Sequence, residues 1–176
     1  GLRERKKQET ARVILKEAKR LFVSEGFDAV SVEQIAEAAS VSRATLFNYF
    51  PSKASLLVAL AERRESDFQH LFERVIQEHS GTFQRIIRLF ELWSVYLMGD
   101  PKIHAMVTSA LNAGARSEED SAAALGNYMD AFRRLLQLGL DIGDVRTDYS
   151  IEAMAQLACS TMISGSYALF EGRDKA

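Results

Sequence analysis

Residues 40–57, SVSRATLFNYFPSKASLL, place three aromatic rings within four positions, between an arginine and a lysine. An arginine can pair with guanine O6 and N7, an asparagine with adenine N6 and N7, and alanine or phenylalanine can contact the thymine methyl group. Hydroxyl and ammonium groups can donate hydrogen bonds to phosphate oxygens. The segment therefore carries side chains suited to the bases and to the backbone of DNA.

The same segment predicts a helix of about two turns. Ser42 is a typical N-cap residue, and Pro51 ends the helix because the residue before a proline avoids the helical conformation. Leu46 and Phe50 are four positions apart, so they lie on one face and form the inward pair. The helix is thus held by its two ends and by two apolar side chains.

The opposite face of this helix follows from steps of 100° per residue. Ala44 and Asn48 point directly away from the core, and Thr45 and Phe47 flank them. We therefore predict the following base-contacting residues: Arg43, Ala44, Phe47 and Asn48. Hydroxyl and ammonium donors at the edge of the face predict phosphate contacts by these residues: Ser42, Thr45, Tyr49 and Lys53.

Two helices are expected before this one. The first should run from about Arg5 to Glu25, with Gly26 at its C-terminal cap. The second should begin after Ser31, with Gln34 placed to complete a capping box. Three short helices in this order predict a helix-turn-helix, in which the third helix enters the major groove. The distribution of charge also favours DNA binding by the N-terminal part. Residues 1–53 hold ten lysines and arginines against seven acidic residues and are net positive, whereas the remainder holds 12 against 17 and is net negative.

The rest of the chain predicts five further helices and no strand. Apolar residues recur at spacings of three and four, and the chain has only two prolines. The predicted fold class is therefore all-α, with a three-helix N-terminal DNA-binding domain in residues 1–53 and a helical C-terminal domain in residues 54–176. The last helix is apolar on more than one side, which predicts that it is central to the body or faces another chain.

Several classes of protein are disfavoured. A single cysteine, Cys159, allows no intrachain disulfide and fits a reducing compartment, and no apolar run is long enough to span a bilayer. No phosphate loop or nucleophile elbow is present, so no enzyme is predicted. His70 and His79 are too far apart in sequence to form a tight metal-ligand pair. We expect a cytoplasmic protein, associated with the nucleoid, without a metal or cofactor.

Residues 11–57, which include ILKEAKRLFVSEGFDAVSVEQIAEAASVSRATLFNYFPSKASLL, resemble the DNA-binding domain of the TetR family of bacterial transcription regulators. The resemblance implies the same base-facing and phosphate-facing roles as above and adds Ser31 to the phosphate contacts. Two positions depart from the family. Many members have glycine where Ser40 stands, so Ser40 is expected to adopt a left-handed conformation at some cost. Phe47 replaces a frequent tyrosine and lacks its hydroxyl.

The resemblance also implies a homodimer and a pocket for a small-molecule effector in residues 54–176. The pocket candidates are aromatic and polarizable residues of the middle and last helices, each of which could instead be core packing: Trp93, Tyr96, His104, Met106, Tyr128, Phe132, Met162 and Tyr167. The dimer-interface candidates lie on the last helix: Ile151, Met154, Ala158, Met162, Gly165 and Leu169. In the family the last two helices form this interface, whereas here only one helix is expected after Gly143.

The function predicted is a sequence-specific regulator of transcription. The resemblance implies a repressor that leaves a palindromic double-stranded operator when a mostly apolar ligand binds. Two alternatives are a helical dimeric interaction protein without operator binding and a small all-helical enzyme. Duplex binding that depends on salt would separate the first alternative from the regulator, and turnover of a substrate would indicate the second.

Overall fold

A computed structural model describes the backbone of residues 1–171 and the side chains of residues 1–168. It confirms the predicted all-α fold class, because the described residues form helices and no strands. The helices are α1 (Leu2–Glu25), α2 (Val32–Ala38), α3 (Arg43–Tyr49), α4 (Lys53–Glu78), α5 (Thr82–Gly99), α6 (Pro101–Asn112), α7 (Glu118–Ile142) and α8 (Ile151–Glu171). Helix α1 begins at Leu2 and not at Arg5, because the basic residues before Arg5 and after it are good helix formers.

The described chain forms two compact units. Unit 1 comprises residues 1–63 and 102–116, and unit 2 comprises residues 64–101 and 117–176. Helix α4 contributes its first part to unit 1 and its second part to unit 2. The functional boundary expected at residues 53 and 54 stays a prediction, since these units reflect packing alone.

Local hydrogen bonds set the starts of the helices in unit 1. The Ser31 hydroxyl accepts from the Gln34 amide, and the Gln34 side chain accepts from the Ser31 amide, which completes the predicted capping box. Ser42 accepts from the Thr45 amide at 3.0 Å. Polar caps thus satisfy backbone donors that the first turns of α2 and α3 leave unpaired.

Ser40 lies in the turn between α2 and α3 with φ 56°, the left-handed conformation predicted for it. Its amide donates to the carbonyl of Glu37, and the Val41 amide donates to the carbonyl of Ala36, both at 2.9 Å. This pair of bonds is the Schellman pattern, which needs a left-handed residue just after the helix. In the turn between the two helices, Ser40 therefore has a backbone conformation that glycine adopts more easily than serine.

Replacing Ser40 with glycine is expected to raise the free energy of unfolding by about 0.5–1 kcal/mol. Relief of the left-handed strain, about 1–2 kcal/mol, exceeds the greater entropy that glycine has in the unfolded chain, about 0.5–1 kcal/mol. Urea unfolding followed by far-ultraviolet circular dichroism measures the change. Ser117→Gly is the matched control, because Ser117 has φ −61° and caps α7 with its side chain. A loss of stability in both variants would contradict the expectation.

The core of unit 1 fixes the position of α3. Leu46 is fully buried and Phe50 is nearly so, as the inward pair predicts. Their neighbours in this core are apolar residues of the surrounding helices and turns: Ile14, Ala18, Leu21, Phe22, Val30, Ile35, Ala36, Ala39, Leu56, Leu57 and Ala61. The outward face of α3 is thus oriented by packing on its inward face.

The core of unit 2 is built from aromatic and aliphatic residues of α4, α5, α7 and α8. Its buried members include Phe68, Phe72, Leu89, Trp93, Phe132, Leu135, Ala155, Cys159 and Met162. Burial raises the pKa of the Cys159 thiol, so this residue behaves as a small apolar side chain.

Among the described residues, no helix has both the length and the apolar character needed to cross a bilayer.

A polar contact joins the start of α5 to the turn that follows α7. The Asp144 carboxylate accepts hydrogen bonds from the Thr82 hydroxyl at 2.6 Å and from the Thr82 amide at 2.8 Å. These bonds lower the pKa of the Asp144 carboxyl. Gly139 lies against the pair, and a Cβ atom there would collide with the side chains of Thr82 and Val145. Glycine at this position therefore lets the chain pack closely enough to form the contact.

Candidate nucleic-acid interface

Helix α3 presents a polar outward face. Arg43, Ala44 and Asn48 are exposed, whereas Thr45 and Phe47 are partly buried at its sides. The four side chains predicted to contact bases thus lie on or beside one accessible face of a seven-residue helix. This arrangement supplies a guanidinium, an amide, a methyl group and a ring on the surface that a major groove would meet.

Arg43 has two partners within unit 1. Its Nη1 atom lies 2.7 Å from Oε1 of Glu33 in α2, and its Cζ atom lies 5.4 Å from the centroid of the Phe47 ring. Both members of the ion pair are more than half exposed, so the pair contributes only about 0–1 kcal/mol. Arg43 can therefore exchange Glu33 for a base at little cost. Glu33 was not among the predicted site residues, because an acidic residue in the first turn of a helix is already favourable to the helix dipole.

The hydroxyl groups predicted to contact phosphates lie at helix starts. The Ser42 and Thr45 hydroxyl oxygens are 2.8 Å apart, and Ser31 belongs to the capping box of α2. Only one hydroxyl of the Ser42 and Thr45 pair donates in their mutual bond, so the other retains its proton for a further acceptor. Capping and phosphate contact are thus compatible for these residues.

Tyr49 and Lys53 have different surroundings. Tyr49 is partly buried and packs against the core of unit 1. The Nζ atom of Lys53 lies 2.6 Å from the carbonyl oxygen of Phe27 and 3.0 Å from that of Val30, in the turn between α1 and α2. Lys53, which is predicted to contact a phosphate, therefore donates its hydrogen bonds to its own chain in this structure.

Three of the eight pocket candidates meet in unit 2. The rings of Trp93 and Tyr96 are stacked with centroids 5.2 Å apart, and Tyr128 lies 6.5 Å from Trp93. Phe68 of α4 contacts Trp93 and Tyr128 edge to face. Two hydrogen bonds add polar atoms to this aromatic cluster: Trp93 Nε1 donates to Ser166, and the Tyr96 hydroxyl donates to Asp67.

The other five candidates are dispersed. Phe132 and Met162 are buried in the core of unit 2, and Tyr167 is 39% exposed. His104 and Met106 belong to unit 1, where His104 is buried. Unit 2 also has a surface groove of about 370 Å³, which none of the eight candidates lines. Its lining residues are Gln69, Phe72, Asn127, Asp130, Ala131 and Arg134. Together, the described residues place no three metal-ligating side chains around one point.

The dimer candidates on α8 are covered to different extents. Ile151, Met154 and Ala158 are half-buried, Gly165 is exposed, and Met162 is turned into the core of unit 2. The side chain of Leu169 lies outside the described residues. Leu157, which is not among the predicted interface residues, is 70% exposed. Periodicity marks α8 as apolar on several sides but does not tell which side its own unit covers.

Residues 14–60 match the family model described as bacterial regulatory proteins, tetR family. The chain is 25% identical to the transcriptional repressor NicS of Pseudomonas putida over 86% of its own length and 73% of that protein. It is 32% identical to the regulator TcmR of Streptomyces glaucescens, over 49% of its own length and 41% of the relative. The fold superposes on the fatty acid degradation regulator FadR of Bacillus halodurans with a TM-score of 0.69 and 18% identity, covering 94% of this chain and 84% of that one.

The matched region coincides with the three helices and the α3 face described above. The family model covers the whole segment from the middle of α1 through α3 and into α4. Residues 14–60 therefore form a domain of the type found in the tetR family of bacterial regulatory proteins, and the curated relatives that match the chain are named as transcriptional regulators and repressors.

Proposed function

We propose that the protein represses transcription by binding a palindromic operator as a homodimer and that a small, mostly apolar ligand releases it. The observation that carries the proposal is the outward face of α3, where Arg43, Ala44 and Asn48 are exposed above the buried Leu46. The name of NicS, a transcriptional repressor, supports repression as the outcome. We place the protein in the cytoplasm, bound to the chromosome.

In this proposal one α3 helix of each chain enters the major groove of one half-site. Two-fold symmetry of the dimer requires two-fold symmetry of the operator, with half-sites one helical turn or somewhat more apart. Base contacts come from Arg43, Ala44, Phe47 and Asn48, and phosphate contacts orient the helix through these hydroxyl groups: Ser31, Ser42, Thr45 and Tyr49. Base contacts select the sequence, while phosphate contacts supply affinity and salt dependence.

The proposed dimer surface is the exposed side of α8. Leu157 is a large apolar side chain that is 70% exposed, and the small residues Ser160, Ser164 and Gly165 are exposed on the same helix. An exposed leucine beside small residues suits close packing against an identical helix. Half-buried Ile151, Met154 and Ala158 can extend this contact.

Replacing Leu157 with glutamate is expected to convert the dimer to monomer and to weaken operator binding. Placing a charge in an apolar contact leaves it without water or a partner. Light scattering after size-exclusion chromatography measures the mass. Val95→Glu is the matched control, since Val95 of α5 is 71% exposed and lies outside α8. If Leu157→Glu remains a dimer, or if both variants dissociate equally, the exposed side of α8 is not the dimer interface.

The proposed effector site is the aromatic cluster of unit 2. Phe68 lies on α4, while Trp93 and Tyr96 lie on α5 and Tyr128 on α7, so a ligand that separates these rings would shift α4. Helix α4 is continuous to Lys53, three residues after the buried Phe50 at the end of α3. The ligand must bind the DNA-free conformation more tightly, and tenfold release needs about 1.4 kcal/mol of this preference.

In vitro selection from a randomised duplex library tests the function as a whole. We expect a palindrome whose affinity, measured by fluorescence anisotropy, falls steeply with salt, by a slope of about 0.9 for each neutralised phosphate. Enrichment of no sequence, with weak binding that salt does not change, would reject the regulator. That outcome would favour the alternative of a helical dimeric interaction protein without operator binding.

A further inference from the structure

Lys53 makes a set of contacts that joins the start of α4 to the turn between α1 and α2. Its Nζ atom lies 2.6 Å from the carbonyl oxygen of Phe27, 3.0 Å from that of Val30 and 3.4 Å from that of Asp28. The same atom lies 4.4 Å from the centroid of the Phe27 ring. An ammonium group has three N–H donors, so the turn can engage all of them.

The position of this lysine calls for such compensation. Lys53 is the first residue of α4, where the positive end of the helix dipole disfavours a cation. The carbonyl oxygens of the turn and the face of Phe27 both present negative charge to the ammonium group. The contacts therefore give a reason for the lysine that needs no DNA.

The connection between α3 and α4 shows what the contacts add. Only Phe50, Pro51 and Ser52 separate the two helices, and they form the covalent link. Leu56, Leu57 and Ala61 of α4 are buried in the core of unit 1, and Lys53 adds a polar attachment at the start of the helix, to the turn that leads into α2. All of these residues lie in unit 1, so the attachment is internal to one packed body. A polar attachment at the first residue of α4, beyond this apolar packing, restricts the pivoting of the helix end that adjoins α3.

We propose that Lys53 is a positioning residue that fixes the direction of α4 relative to α2 and α3. This inference rests on the proposed function and deepens it, because the separation of the two α3 helices in a dimer then follows the direction of α4. Donors that are engaged with the turn are not available to phosphate oxygens. Lys53 thus governs which half-site spacing is bound, and it does not add to the salt dependence.

The test compares the wild-type protein with Lys53→Met, which keeps an apolar stem of similar length, and with Lys53→Arg, which keeps the charge. Lys16→Met is the control, because Lys16 is exposed on α1 and its loss also removes one cation from unit 1. Anisotropy titrations at several salt concentrations use the selected palindrome and two versions whose spacer is one base pair longer or shorter. Thermal unfolding of each variant checks that it is folded.

We expect wild type and Lys16→Met to bind the selected spacing about tenfold or more tightly than the altered spacings. In Lys53→Met this preference should shrink several-fold while the salt slope stays unchanged, and Lys53→Arg should restore part of the preference. A slope reduced by about 0.9 per chain, with spacing preference intact, would establish a phosphate contact and overturn the proposal. A uniform loss at all spacings would show a merely structural role and overturn it as well.

Failure of the proposed function would be visible separately. If the wild-type protein selects no palindrome, the regulator itself is rejected before any variant is compared, and the positioning role falls with it. If the wild type selects a palindrome and Lys53→Met keeps its full spacing preference, only the positioning role is rejected.

Discussion

Replacing Arg43 with alanine is expected to weaken operator binding about 5-fold to 150-fold per half-site and to relax the preference at one base pair in each half. Loss of a bidentate contact to guanine costs about 1–3 kcal/mol of discrimination. The free protein loses little by the change, because the ion pair of Arg43 with Glu33 is exposed. The substitution is therefore expected to raise the free energy of the DNA complex, in which the guanidinium contacts a base edge, and to leave that of the free protein almost unchanged.

Anisotropy titrations on the selected palindrome and on duplexes altered symmetrically at each position measure this effect. Asn48→Ala should relax the preference at a different base pair, since the two side chains are five positions apart on α3. Arg88→Ala is the charge control, because Arg88 is a surface residue of α5 paired with Glu91. Equal losses on all sequences in Arg43→Ala would show that this arginine contacts phosphate and does not read a base.

The second large effect is expected from Leu46→Ala. Leu46 is fully buried in the core of unit 1, and its truncation should lower the free energy of unfolding by about 2–5 kcal/mol. That is a large part of the about 5–15 kcal/mol by which domains are usually stable. A helix of seven residues has no stability of its own, so α3 depends on this side chain and on Phe50 for its position.

Urea unfolding at a fixed protein concentration measures the loss, and Leu46→Met is the control. Methionine conserves volume and should cost less than about 1.5 kcal/mol. Trp93, the one tryptophan of the chain, belongs to unit 2, so its fluorescence reports that unit while circular dichroism reports the helices of both. Operator binding should be lost together with the stability of unit 1. A cost below about 1 kcal/mol for Leu46→Ala would show that α3 is held by other contacts.

The helix-turn-helix could be predicted from the sequence because its determinants are local. The caps at Ser31 and Ser42 and the spacing of Leu46 and Phe50 each involve residues within four positions of one another. The left-handed turn at Ser40 follows from the same short range, combined with the family resemblance. Such features do not depend on how distant segments pack, so the structure has them as the sequence predicts.

The contacts of Lys53 and Asp144 could not be predicted in this way. The lysine donates to carbonyl oxygens 23 to 26 residues earlier in the chain. The positions of these oxygens depend on the backbone geometry of a turn, which no residue type in the sequence predicts. Asp144 caps α5 across 62 residues. In both contacts a polar side chain satisfies backbone groups of a distant segment, so the sequence around it carries no matching pattern.

The body was predicted only in outline, because apolar periodicity does not distinguish a core from a binding surface. Met162 and Leu157 lie on the same apolar helix, yet the first is buried and the second is exposed. Trp93, Tyr96 and Tyr128 do come together, whereas His104 and Met106 belong to the other unit. Only the packing of the other helices against α8 decides which of its faces remains accessible.

The most direct measurement compares the selected palindrome with a duplex in which one half-site is scrambled, at one salt concentration. If two α3 helices read the two halves, the intact palindrome should bind two chains and bind them about tenfold or more tightly than the scrambled duplex. Equal affinity for both duplexes would mean that phosphate contacts supply all the binding energy. That result would contradict sequence readout by α3.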